Sequence, residues 1–181
     1  SLNKTAVRQS ALPGPVEEHE ESQVTRQFLD FADKMFAPSE GFIQNSYKSF
    51  DQLQPVFIGS EMRSAAPAGV KAIELASLHG PLGETGFKQF GLVSDKLKSR
   101  LAAEKPVLIH AHFGKSGAYA LPLARAMGLP LVVTYHGGDA TKTANTKNSV
   151  MRVYNRRRAR LWREAALILP WDKLVYSALG A

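Results

Sequence analysis

The segment Pro106–Asp139, PVLIHAHFGKSGAYALPLARAMGLPLVVTYHGGD, decides the fold. Val107-Leu108-Ile109 and Leu131-Val132-Val133 are apolar throughout and do not alternate with polar residues. Such runs mark strands covered on both faces, as in parallel sheets. Parallel neighbours need a crossover, and the residues between the two runs have the length of one helix. Pro122 falls inside that helix and predicts a late start or a kink, while Gly128 and Pro130 end it. Each run closes on a polar cluster: His110-Ala-His112-Phe113-Gly114 after the first, His136-Gly137-Gly138-Asp139 after the second.

Downstream, residues 140–148 read as a polar loop, Val150 to Ala165 as a basic helix, Leu167-Ile168-Leu169 as a buried strand and Leu174 to Leu179 as a short helix. Upstream, Phe87 to Glu104 places Phe90, Val93, Leu97 and Leu101 at helical spacing. Residues 60–86 are rich in Gly, Pro, Ala and Ser and read as irregular, except for a short strand near Ala72 to Leu75. Pro55 to Gly59 is a short buried strand. Ala37 to Gly41 is a turn, and Ser39 is placed to cap a helix from Glu40 whose stripe is Phe42, Ile43, Tyr47 and Phe50. Residues 24–36 fit either a helix or a strand over Arg26 to Phe31. Residues 1–23, with Pro13, Gly14, Pro15 and four glutamates, read as a flexible arm before a single domain over 24–181. There is no internal repeat. Alternating strands and helices predict an α/β fold: a Rossmann-like open, mostly parallel sheet flanked by helices.

Composition bounds the chemistry. The 181 residues include no cysteine, which excludes disulfides and thiolate metal sites. The net charge of +7 is concentrated in one stretch. Lys142, Lys147, Arg152, Arg156, Arg157, Arg158, Arg160 and Arg163 follow one another without an acidic residue. Arg156, Arg157, Arg158 and Arg160 therefore form a candidate surface for an anionic partner. Nucleic acid is not expected, because no stacking aromatics or recognised module accompany the charge.

Ligands of open parallel sheets bind at the carboxyl ends of the strands. That rule gathers His110, His112, Phe113 and Gly114, then His136 to Asp139, and the Ser39-Glu40-Gly41 turn at one edge. Histidine can bond hydroxyls or phosphates, glycines let a ligand approach the backbone, and Asp139 could serve as a base. His110 and His112 share one strand face, but two histidines without a carboxylate make an incomplete metal site, and no metal is expected. Ser116 reads as a helix cap, His79 as a loop residue. Gly114-Lys115-Ser116 lacks the upstream glycine of a phosphate-binding Walker loop, which excludes a nucleoside-triphosphatase on that ground.

The run His-Ala-His-Phe-Gly, Gly117 to Ala124, Gly128-Leu129-Pro130 and Thr134 to Asp139 resembles family-4 (group 1) retaining glycosyltransferases, especially bacterial enzymes of surface-polysaccharide assembly. Ala37 to Ile43 and Pro55 to Gly59 are similar to the segments at that family's first two strands. The resemblance implies the N-terminal, acceptor-side domain of a GT-B enzyme. It implies a nucleotide-sugar donor, a saccharide or lipid-linked acceptor, no cofactor or metal, and a cytoplasmic location, peripheral to an anionic membrane. It makes His136 and Asp139 the catalytic candidates. Ser39, Glu40, Gly41, His110, His112, Phe113, Gly114, Gly137 and Gly138 become the substrate-binding candidates. The partner half, with its Glu-x7-Glu motif, is not among these residues, so little transfer is expected from them alone. A non-catalytic module of the same fold, binding an anionic saccharide or phosphate, is the alternative.

Overall fold

A computed structural model describes residues 25–79, 83–137 and 149–170. The expected arm, the 140–148 loop, the 174–179 helix, Gly138 and Asp139 lie outside the described residues. Six parallel strands form the sheet: β1 (Arg26–Phe31), β3 (Leu53–Gly59), β5 (Ala72–Glu74), β6 (Pro106–His112), β7 (Leu131–Tyr135) and β8 (Leu167–Pro170), in the order β5-β3-β1-β6-β7-β8. Two short strands, β2 (Lys34–Met35) and β4 (Glu61–Met62), pair beyond it. The order is that of a doubly wound Rossmann sheet, which reverses direction between β1 and β6.

Residues 24–36 thus resolve as a strand over Arg26–Phe31. The turn after it forms a 3-10 turn (Pro38–Glu40) and a short helix, α1 (Gly41–Asn45). Ser39 sits within the 3-10 turn and caps neither. The expected helix 87–104 is broken. Three residues of helix, α2 (Gly83–Thr85), run into a π-turn (Gly86–Phe90) that ends at Gly91, whose φ of 74° is left-handed. The chain restarts as α3 (Asp95–Ala102), capped by the Ser94 hydroxyl accepting from the Leu97 amide. Gly91 and Ser94 supply stop and start signals that the Phe90-Val93-Leu97 spacing conceals.

Period-two alternation sends Leu29, Phe31, Val56, Ile58, Ile109, Ala111 and Val133 to one face, where they form the main core with α3, α4 (Gly114–Met127) and α5 (Ser149–Glu164). Phe28, Phe57 and Leu108 face the other side, packed with Tyr47, Ile43 and Phe36.

Helix α4 starts at Gly114, directly after β6, so Pro122 does not delay it. Proline removes the N–H that would bond the carbonyl four residues earlier. That carbonyl, on Ala118, accepts instead from the Arg157 guanidinium of α5 at 3.0 Å. Gly114 is needed for close approach: a Cβ there would lie 2.5 Å from the Tyr135 ring and 2.9 Å from Tyr154.

Candidate functional site

The carboxyl ends of β1, β6 and β7 meet at the point where the strand order reverses. Asp30, His110 and Val132 pair across the sheet, as do His112 and Thr134. Even-numbered residues of these strands therefore share a face, and that face carries Asp30, His110, His112 and Thr134. Tyr47, directly after the α1 C-cap Ser46, reaches down onto them. Its hydroxyl lies 2.9 Å from His110 Nδ1 and 2.6 Å from His112 Nε2, and it donates to the Asp30 carboxylate. Burial first, and the Asp30 charge second, keep the phenol protonated.

Proton positions follow from the inventory of donors and acceptors. Asp30 is fully buried and can only accept as a carboxylate. It receives the Tyr47 hydroxyl and His112 Nε2–H, the latter at 3.1 Å. His112 Nδ1 is then an acceptor and takes His136 Nε2–H at 2.9 Å. His110 Nδ1–H points to the Tyr47 oxygen, and the Thr134 hydroxyl donates to His110 Nε2 at 2.8 Å.

The sequence reading set metal aside for want of a carboxylate beside His110 and His112. Asp30 supplies one, and the three offer ligand atoms within 4.8 Å of one another. The Tyr47 hydroxyl lies against the same three groups, 2.9 Å from His110 Nδ1 and 2.6 Å from His112 Nε2.

Burial, and then the neighbouring imidazoles, push His110 and His136 down to about 4. The unfolded chain binds protons on both near 6.5. Below that pH the unfolded state holds more protons than the native one, so stability is full above 6.5 and falls as pH drops from 6.5 to 4. Urea midpoints measured between those pH values should decline. They should flatten in a His110→Gln/His136→Gln variant.

A pocket of about 460 Å³ opens beside this network, lined by Ala32, Glu40, Phe113, Lys115, Ser116, His136 and residues of α5. His136 is held between rings, 4.9 Å from Phe42 and 4.8 Å from Phe113, and its ring centroid lies 5.2 Å from that of its hydrogen-bond partner His112. Phe113 has φ 71° and ψ 144°, a region that non-glycine residues occupy at a cost of about 1–3 kcal/mol. That strained turn carries the chain from β6 into α4 and lays the Phe113 ring on His136. Burial raises the Glu40 carboxyl, partly offset by Lys115 and His112. Asp33, buried at the pocket wall, takes Lys88 at 2.8 Å and Lys115 at 3.1 Å. Burial alone would raise its carboxyl, but the two lysines outweigh that and hold it low.

The structure thus brings His110, His112, Phe113, Gly114, Glu40 and His136 together. Gly137 follows with φ 89°. Ser39 is exposed. Gly41 has an ordinary helical φ of −58°, and a Cβ there would meet nothing within 4 Å. Its turn faces open space rather than requiring glycine's freedom. Asp139 is outside the described residues. Ser116 is not a cap: inside α4, its hydroxyl accepts from the Asp33 amide at 3.3 Å. His79 is buried and stacks on Phe87 at 5.0 Å.

Asp30 and Tyr47 were missed. A lone aspartate inside the apolar run Phe28-Leu29-Asp30-Phe31 was the available signal for the first; Tyr47 read as an apolar-stripe residue. The four arginines of the candidate anionic surface each have a partner within the chain. Arg156 and Arg157 donate to the Gln89 carbonyl, Arg158 lies over the Trp162 ring at 5.4 Å, and Arg160 pairs with Glu164 at 3.3 Å.

A search of curated proteins finds no match to the chain. Residues 58–171 match the family described as Glycosyl transferase 4-like domain. That span runs from the last two residues of β3 through the end of β8, and so holds both histidine-bearing strand ends and the helix between them. The doubly wound sheet and a cleft at its reversal point accord with the sequence match, and the chain belongs to the glycosyl transferase 4-like domain family.

Proposed function

We propose that this chain is the acceptor-side domain of a retaining glycosyltransferase. It works with a donor-binding domain to move a sugar from a nucleotide-sugar to a saccharide or lipid-linked acceptor in cell-surface polysaccharide synthesis. The observation that carries this reading is the pocket at the carboxyl edge, where His136, Glu40 and Lys115 surround a volume of about 460 Å³. That suits a hydroxylated, anionic ligand. Lys115 and the first turn of α4 offer positive charge and backbone donors to a phosphate. His136 and Glu40 offer groups that exchange protons with hydroxyls. The reading uses no metal. Catalysis comes from positioning and charge stabilisation, and most donor contacts come from the donor-binding domain. These residues alone therefore transfer little.

The test is transfer by the full-length gene product from a panel of nucleotide-sugars, with anomeric configuration read by NMR. Retention supports the reading. Inversion overturns the retaining mechanism, and saccharide binding without turnover favours a non-catalytic module.

A membrane partner is supported by a different patch. Phe90 and Leu92 are 73% and 65% exposed, and Phe90 lies beside Arg156 and Arg160. Apolar tips beside cations suit an anionic cytoplasmic leaflet, worth about 1 kcal/mol per basic residue near the surface. Flotation with vesicles containing phosphatidylserine should fall severalfold in a Phe90→Ser/Leu92→Ser variant. Unchanged flotation would remove this patch as the docking site.

A further inference from the structure

We propose that Asp30, His110, His112 and Tyr47 are the ligands of a four-coordinate divalent metal site of the zinc class, set beside the pocket. The site stands on these residues alone. It does not depend on the glycosyl-transfer reading, in which the sugar chemistry uses no metal.

Three observations carry it. First, the ligand atoms converge. Tyr47 Oη lies 2.9 Å from His110 Nδ1 and 2.6 Å from His112 Nε2, and His112 Nε2 lies 3.1 Å from Asp30 Oδ2. One atom from each of Asp30, His110 and His112 lies within 4.8 Å of the others. Ligands of a tetrahedral Zn²⁺ with bonds of about 2.0–2.1 Å stand roughly 3.4 Å apart. The three short contacts fall below that by less than about 1 Å, so side-chain rotation opens the cluster around an ion.

Second, each histidine is steadied from behind. His110 Nε2 meets the Thr134 hydroxyl at 2.8 Å, and His112 Nδ1 meets His136 Nε2 at 2.9 Å. Metal-bound imidazoles almost always engage their far nitrogen in this way. A hydroxyl accepts as well as donates, and a neutral imidazole has one accepting nitrogen. Both rings can therefore carry their proton on the far side and turn a bare nitrogen to the ion.

Third, Asp30 is a buried charge with an unused oxygen. Its side chain is wholly removed from solvent, and Oδ1 has no hydrogen-bond partner among the described residues. Buried charges are ordinarily paired or bound to metal. A crevice of about 10 Å³ lies beside it, lined by Asp30, Glu40, Ile43 and Gln44 among others. The charges balance: the Tyr47 O–H bond breaks, its oxygen bonds the ion, and the proton leaves to solvent. Carboxylate and phenolate then neutralise the two charges of the ion, whose own field favours the phenolate that burial otherwise prevents. Bound there, the ion ties Tyr47 to β1 and β6 and, through His112, holds His136 at the pocket wall.

The test uses the full-length gene product, untagged and stripped of metal by a chelator. Titration with Zn²⁺ should show one ion per chain, with Kd below about 1 μM. One proton should be released, read from the binding heat in buffers of different ionisation enthalpy. Co²⁺ should give the intense visible band of a four-coordinate site. Tyr47→Phe keeps the ring but loses the oxygen, so it should weaken Zn²⁺ binding 10- to 100-fold and abolish proton release. Thr134→Val keeps the side-chain shape and does not touch the ion, yet it should weaken binding about 10-fold. Thermal melting of each variant in chelator checks its folding, and Thr134→Val decides the matter should Tyr47→Phe fail to fold. No binding tighter than about 100 μM, the weak band of octahedral Co²⁺, or unchanged affinity in either folded variant would overturn the site. None of these readouts needs turnover, so absence of sugar transfer would remove the proposed function and leave the metal result standing.

Discussion

His136→Ala in the full-length gene product should lower transfer by roughly 100-fold or more, the usual cost of removing a positioned acid–base group. Its ring is the one member of the buried histidine network that lines the pocket, fixed between Phe42 and Phe113 and bonded to His112. On the proposed reading, alanine removes the group that meets a hydroxyl and leaves the His112–Asp30 pair beneath it in place. The loss should therefore appear mainly in kcat, with little change in donor KM. His136→Gln keeps a polar group but cannot carry a proton, and it should behave like alanine. Activity within about twofold of wild type would remove His136 from the reaction. Unchanged thermal melting is the control for folding.

Gly59→Ala should destabilise the fold by about 3 kcal/mol or more, above the typical range for overpacking, because backbone is in the way. A Cβ at Gly59 would sit 2.1 Å from the Ala32 carbonyl oxygen and 2.7 Å from Met35 Cγ. The side chain can rotate away, but the carbonyl cannot move without shifting the chain after β1. That chain includes Ala32 and Asp33 of the pocket wall. At this chain length the loss corresponds to a fall in Tm of roughly 6–12 °C. A fall equivalent to less than about 1 kcal/mol would mean that the ends of β1 and β3 separate easily. The same substitution should weaken ligand binding through Asp33, whose carboxylate holds Lys88 and Lys115 in place.

Much of the architecture was legible in the residues. Unalternating apolar runs at 107–109 and 131–133 announce doubly covered parallel strands, because burial on both faces leaves no solvent side to record. Gly128 marks the end of α4, with a φ of 66°. The spacing His110-x-His112 puts both rings on one face, because strand geometry has a period of two. The misreadings have local causes. Phe90, Val93, Leu97 and Leu101 keep helical spacing across a break that Gly91 and Ser94 impose. Pro122 neither delays α4 nor leaves a carbonyl without a partner, since Arg157, distant in sequence, bonds Ala118.

By itself, then, the sequence determined the fold class, the sheet edge beside which the pocket opens, and His110, His112 and His136 as residues gathered at that edge. Those follow from periodicity and from the rule that strand ends of parallel sheets open on ligands. Tertiary structure alone decided that Asp30 and Tyr47 complete the network, that Phe113 is strained to hold His136, and that four arginines bond within the chain. Asp30 and His112 are 82 positions apart, and they meet only because β1 and β6 are neighbours where the sheet reverses. Hydrogen-bond partners across such a gap leave no periodic trace along the chain.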